Sequence, residues 1–383
     1  MTTTCVLLAS DSFKGSASSM EVENLLEEGV RRVMPDCEVV KYPIADGGEG
    51  TVDAVIAGRG GEFREARVSG PLGDPVTARY GLFDGRRSAI IEMAAASGIT
   101  LIEQNAANAL GAGTEGVGQL MLDALDAGAE RLVIGLGGSA TSDGGAGMAR
   151  ALGARLLDAD GEPVPCGLAG LRRLHAIDVS GMDPRLAHVE IIALTDVTNP
   201  LTGPDGAIHV YGAQKGIDET RMAELDGWMR GYARLLAEAT GRDPEQVPGA
   251  GAGGGFGAAL ISFCGARIVS GIDAVLDLIG LDRVMDRVDL VITGEGRMDS
   301  QSANGKAPVG VARLAKRHGK PVVAVVGSRA DDLEGVYAMG VDLVVPAVTA
   351  PAALDECIAR TRVAIPIAGE SAMRAFLLGA GRG

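Results

Sequence analysis

The sequence predicts an α/β protein of two α/β domains, one inserted into the other. Three observations carry this. Apolar runs of strand length alternate with amphipathic stretches of helix length, the pattern of parallel strands joined by helical crossovers. That texture fills both ends of the 383 residues and changes, from about Glu62 to Met93, to short strands joined by turns. Hydrophobic residues make up 46% and aromatics only 3%, so a sizeable core must come from Ala, Val, Leu and Ile. We expect residues 1–65 with 286–383 to form one discontinuous domain, and 66–285 the inserted one with its glycine-rich loops.

Taken in order, Val6 to Ala9 is a strand of buried type, and Asp11 to Gly15 turns the chain. Ser18 and Glu21 form a capping box, which places a helix from about Ser19 to Val33, ended by Pro35 and Asp36. Glu38 to Tyr42 is the next strand, leading through a glycine loop into a helix that runs to about Ala57. Thr77 to Phe83 and Ser88 to Glu92 flank Asp84-Gly85, a hairpin signal. Thr114 to Ala127 has helical amphipathicity, Val189 to Leu194 is a strand, and Asp218 to Thr240 is a long helix. A loop from Gly249 to Gly257 runs into a helix from Phe256 to Phe263. Leu290 to Thr293, Val322 to Val326 and Leu343 to Val345 are further strands, and Pro308 suits the first turn of a helix reaching His318.

The stretch from Arg131 to Arg150 stands out. A strand-length run, Leu132 to Ile134, is followed by a glycine-crowded loop from Gly135 to Gly147 and by helix-compatible spacing from Met148 to Leu157. Strand, glycine loop and helix is an arrangement that holds phosphate, because glycine lets the backbone approach the anion and the helix start offers unpaired N–H groups. Ser139, Thr141 and Ser142 add hydroxyl donors, and Asp143 a carboxylate that can sit near a metal. Gly135, Gly137 and Ala140 also fit the dinucleotide fingerprint, with Asp158 or Asp160 about 20 residues on. A nicotinamide oxidoreductase is therefore an alternative, although this loop is longer and more polar than that tight turn. No GxxxxGK[ST] motif occurs, so the chain is not a P-loop kinase.

The net charge of −15 argues against a nucleic-acid or anionic-membrane surface. The five cysteines are scattered and lack CxxC spacing, which suggests free thiols in a reducing compartment. The N-terminal residues have no basic region and too short an apolar run for a signal peptide, and no stretch is long and apolar enough to span a membrane. The expectation is a soluble cytoplasmic protein, with any homo-oligomer left open. The four histidines show no ligand spacing.

Polar clusters recur after strands. Asp11 and Lys14 follow the first, Asp46 the second, Asp196 follows Leu194, and Glu295 and Asp299 follow Thr293 with Lys306 beyond. Open parallel sheets bind ligands at the carboxyl ends of their strands. Carboxylates, lysines and glycine loops there suit phosphoryl transfer: carboxylates hold Mg²⁺, lysine neutralises phosphate, and a carboxylate accepts the hydroxyl proton. Singly, each acid also has a plain role as a turn former or helix cap. Glu295, between two glycines, is harder to explain that way, because nothing there requires an acid. A non-catalytic anion-binding protein remains a third reading, disfavoured because acids repel an anionic ligand unless a metal intervenes.

DSFKGS at 11–16, ADGGEGT at 45–51, GLGGSATSDGGAG at 135–147, TDVTNPL at 195–201, YGAQKG at 211–216 and TGEGRMDSQSANGKAP at 293–308 resemble the bacterial glycerate kinases of the GarK/GlxK type. The resemblance covers essentially the whole chain, in order. It implies two α/β domains, one Rossmann- or flavodoxin-like, with the active site in the cleft between them. It implies transfer of the ATP γ-phosphoryl group to D-glycerate with Mg²⁺, giving 2-phosphoglycerate and ADP, or 3-phosphoglycerate as the alternative. On this reading Gly137, Gly138, Ser139, Thr141 and Asp143 form the nucleotide loop. Asp46 and Glu295, or Asp299, hold the metal, and Asp11, Ser12 and either Arg297 or Lys306 bind glycerate. Asp196 is the catalytic base, with Lys14 and Asp299 as further catalytic groups.

Overall fold

The computed structural model describes residues 3–379, which fall into two compact units. The first comprises the chain up to Asp46, Asp53–Arg59 and everything from Ile272 on; the second comprises Gly47–Val52 and Gly60–Gly271. These bounds depart from the expected cuts after residues 65 and 285. Glu62–Ser69 is one strand paired along its whole length with Pro75–Phe83, so no boundary can fall inside it. The helix Gly271–Ile279 packs Ile272 so closely on Gly310 that a Cβ there would collide with it.

The first unit is built on a parallel sheet in the order Leu343–Pro346, Val322–Arg329, Leu290–Met298, Cys5–Ser10, Glu38–Lys41. Pairing of Cys5–Ser10 with Leu290–Met298 joins the two ends of the chain in one sheet, a contact that composition could suggest but not establish. All six residues of Cys5–Ser10 are buried, as expected of a strand covered on both faces. The helix Ser19–Val33 starts at the Ser18–Glu21 capping box and buries Val22, Leu25, Leu26 and Val30. Each such side chain contributes about 1.5–3 kcal/mol. Its Gly29 lies against the Pro366 carbonyl of helix Thr361–Gly379, so the two helices meet backbone to backbone.

The second unit has a six-stranded mixed sheet. Arg267–Val269, Glu190–Leu194, Arg131–Gly135 and Ser88–Glu92 are parallel, and Pro75–Phe83 and Glu62–Ser69 add on antiparallel. The hairpin after Phe83 turns through Asp84, Gly85 and Arg86, all with positive φ. Two expectations fail locally. Met148 to Leu157 is not one helix. The helix is Ala146–Ala151; Gly153, at φ 103, ends it, and Arg155–Leu157 forms a strand paired with Ala176–Asp178. The strand expected to stop at Thr293 runs to Met298, because Gly294 lets the backbone press against Val325. Among the described residues, no helix is long and apolar enough to cross a membrane.

Candidate active site

In the first unit, sheet register assembles the candidate groups. Ser10 pairs with Gly294, so Asp11, just past its strand, and Glu295, within Leu290–Met298, lie side by side at the same end of the sheet. The Ile44 amide donates to the Ser10 carbonyl at 3.3 Å, which carries Asp46 to the same place. Lys306 immediately precedes the helix Ala307–Arg317, with its Nζ 3.6 Å from Glu295 Oε2 and 4.0 Å from Asp299 Oδ1. Asp299 caps the short turn Ser300–Asn304 through the Gln301 amide at 3.0 Å, and its other oxygen lies 3.8 Å from Arg297 Nε. Arg297 itself is 73% exposed, so it is a cation beside the cluster and not part of its interior. Asp11, Lys14, Asp46, Glu295, Asp299 and Lys306 thus come together, as sequence order alone suggested.

The electrostatics follow from burial. Asp11 is almost fully buried, and desolvation together with the Asp46 charge pushes its pKa up to about 7, against a hydrogen bond from the Ser12 amide. Burial also raises Glu295, whose Oε1 has no hydrogen-bond partner among the described residues. Behind them Glu23, which no motif in the sequence singles out, accepts from the Ser10 amide at 3.1 Å. Burial lifts it well above the usual carboxylate range.

One outcome follows for Asp11→Asn. Between the unfolded value near 3.8 and the folded value of about 7, the native state holds a proton that the unfolded state has released. This group's contribution to stability therefore falls as pH rises through that window, and its cost is complete above it. Asp11→Asn should raise stability by roughly 1–3 kcal/mol at pH 8 and give no gain near pH 4. Thermal melts across pH check this; a lowered Tm at pH 8 would show that the carboxylate stabilises the fold.

The glycine loop of the second unit is less open than its sequence suggests. Gly135 and Gly137 pack on Gly47 and Gly48, and a Cβ at Gly137 would come within 2.6 Å of the Gly48 Cα. Asp143 is fully buried and accepts from the amides of Thr114, Gly145 and Gly147 at 3.0 Å each, and from the Thr114 hydroxyl at 2.9 Å. The start of helix Ala146–Ala151 is therefore capped by the chain's own carboxylate. The expectation that this helix start receives phosphate, with Asp143 facing a ligand, is corrected: an internal anion already occupies it. Thr141 is also buried. Ser139 is buried beside an exposed Gly138, which has a φ of 74.

Two further groups complete the picture. Asp196 Oδ1 accepts from Ser270 Oγ at 2.8 Å and from the Gly271 amide at 2.9 Å, so it caps the helix Gly271–Ile279. Lys215, within the YGAQKG segment, is buried with its Nζ on Ser139 Oγ at 3.0 Å and on the Thr141 carbonyl at 2.6 Å. Nothing in the spacing of YGAQKG marks that lysine as buried; only the fold does.

A cluster of acids and cations at parallel-strand ends and a glycine loop backed by lysine suit transfer of a phosphoryl group. Comparison with known proteins agrees. The sequence model of the glycerate kinase family matches residues 6–377. The chain belongs to the glycerate kinase family. It is 47% identical over 351 residues to glycerate 2-kinase of Escherichia coli (strain K12), covering 92% of each chain. It is 46% identical over 337 residues to glycerate kinase of Bacillus subtilis (strain 168), covering 88% of each. A crystal structure given as a glycerate kinase 2 from Salmonella typhimurium LT2 superposes with a TM-score of 0.85 at 42% identity, covering 100% of both chains. As a glycerate kinase, this chain is an enzyme that phosphorylates glycerate with ATP as the donor. The nicotinamide oxidoreductase alternative falls with that membership.

Proposed function

We propose that this glycerate kinase transfers the ATP γ-phosphoryl group to the 2-hydroxyl of D-glycerate, giving 2-phosphoglycerate and ADP, in the cytoplasm. The observation that carries the reading is the cluster of Asp11, Asp46 and Glu295 with Lys14 and Lys306. The choice of the 2-position rests on similarity to the Escherichia coli glycerate 2-kinase.

Acids crowded at an anion site repel the ligand unless a cation stands between. Among the described residues no group of three or more His, Cys, Asp or Glu is arranged to hold a metal ion. Mg²⁺ asks for less, since it is usually held by one or two carboxylates together with substrate phosphates and water. Asp46 and Glu295 fit it, and the unpartnered Glu295 Oε1 is a ready donor. Bound there, the ion would neutralise charge on the transferring phosphoryl group. Lys306 and Arg297 pair with the glycerate carboxylate, and Asp299 holds both cations. Asp11 and Ser12 receive the glycerate hydroxyls, and Lys14 adds positive charge for the phosphate. Gly137, Gly138 and Ser139 take the nucleotide phosphates. Asp196 accepts the proton of the attacking hydroxyl, with its carboxylate oriented by Ser270 and Gly271.

The test is product formation from D-glycerate, ATP and Mg²⁺, read by enolase coupling with no mutase present. An immediate signal is expected. ADP without that signal, followed by signal once mutase is added, would mean the 3-phosphate and overturn the regiochemistry.

A further inference from the structure

Lys215 is 5% exposed, in the turn Ala213–Lys215 of the second unit. Its Nζ meets two neutral acceptors, Ser139 Oγ and the Thr141 carbonyl. Among the described residues no carboxylate lies within 4.0 Å of it. The one acid whose field reaches it is Asp143, whose oxygens are taken by Thr114, Gly145 and Gly147. Burial holds the lysine down to about 8. A buried ammonium without a carboxylate partner is costly.

Bracing the loop does not require that charge. The backbone already clasps it: Ala140 donates to Ser97 at 2.9 Å, Ile99 to Gly138 at 2.8 Å, and Gly144 to Gly254 at 3.1 Å. What the charge adds is at Ser139. Its oxygen accepts from the ammonium, while the hydroxyl proton has no acceptor among the described residues. The neighbouring Gly138 is exposed and Gly137 half-buried. The proton is therefore polarised and turned away from Lys215, beside the exposed part of the loop.

We propose that Lys215 is a positioning residue for the phosphoryl donor: acting through Ser139, it fixes and polarises the hydroxyl that donates to a nucleotide phosphate oxygen. The inference rests on the assignment of Gly137, Gly138 and Ser139 to the nucleotide. It explains why an uncompensated cation is kept where a neutral donor would brace as well, since sites that bind or react commonly retain groups that cost stability.

The test uses full-length Lys215→Met, Lys215→Gln, Ser139→Ala and the double variant Lys215→Met with Ser139→Ala. Steady-state kinetics in both substrates and thermal melts are measured. KM for ATP should rise on the order of tenfold, the loss of one charge-assisted contact. KM for glycerate should move by less than about 2-fold, and Lys215→Met should not lower Tm, because a buried unpaired charge is removed. Lys215→Gln keeps N–H donors without the charge and should be as impaired as Lys215→Met. The double variant should be no worse than Ser139→Ala alone. A lowered Tm with unchanged KM for ATP, or full rescue by Gln, would make Lys215 a brace and overturn the proposal. Additive effects would also overturn it. If only KM for glycerate rises, the nucleotide assignment fails, and the double variant still reports separately whether Lys215 works through Ser139.

Discussion

Replacing Asp196 by Asn is expected to lower kcat by about 10²- to 10⁴-fold while leaving KM for ATP and Tm nearly unchanged. The geometry makes the substitution unusually clean. Asp196 Oδ1 caps the helix Gly271–Ile279 through the Gly271 amide and holds Ser270 Oγ. An asparagine carbonyl oxygen can accept both hydrogen bonds, so the cap survives while the capacity to take a proton is lost. Asp196→Ala removes both and should also cost about 0.5–2 kcal/mol of stability. Turnover and melting temperature, measured for the two variants together, separate proton transfer from capping. Near-normal kcat in Asp196→Asn would leave Asp196 as a cap alone and shift the role of base to Asp11, the buried carboxylate of the first unit.

Much of this fold is legible in the sequence because its signals are local. The Ser18–Glu21 box and the apolar spacing behind it set a helix whose bounds need only a few neighbouring residues. The short apolar run after Thr4 has the length and composition of a strand buried on both faces, and is one. Several of the misreadings turn on glycine, whose effect on the chain depends on what packs against it. Gly294 and Gly296 do not end the strand Leu290–Met298; the strand continues because neighbours approach their bare backbone. Gly153 does end a helix, and no periodicity between Met148 and Leu157 reveals that its φ is positive. In the candidate site, motif order brings Asp11, Asp46 and Glu295 together, since Asp11 and Asp46 follow strands of the parallel sheet in which Glu295 lies. The roles of Asp143 and Lys215 are invisible in sequence because each depends on a partner far along the chain: Thr114 for the acid, Ser139 and Thr141 for the lysine.

That shift in the meaning of glycine gives the largest structural prediction. The loop from Gly249 to Gly257 is a second glycine loop leading into a helix, and Gly253, Gly254 and Gly255 all have positive φ and face protein. A Cβ on Gly254 would collide with the Thr141 carbonyl oxygen and come within 2.8 Å of the Ser142 Cα. Both obstacles are backbone, so no side chain can swing away. Gly254→Ala combines that clash with left-handed strain of about 1–3 kcal/mol, and should cost at least ~3 kcal/mol in all, a large share of a stability of roughly 5–15 kcal/mol. Gly227, on the exposed side of helix Met222–Thr240 with open space around its Cβ position, is the control. Gly227→Ala should be neutral or stabilising by up to about 1 kcal/mol. Denaturant melts of the two variants decide the matter. If Gly254→Ala keeps its stability but loses affinity for ATP, the glycines serve a ligand. If stability falls as expected, they serve the packing that shapes the loop bearing Ser139. Affinity for ATP is then lost only as a consequence of the displaced Thr141 carbonyl, one of the two acceptors that hold Lys215.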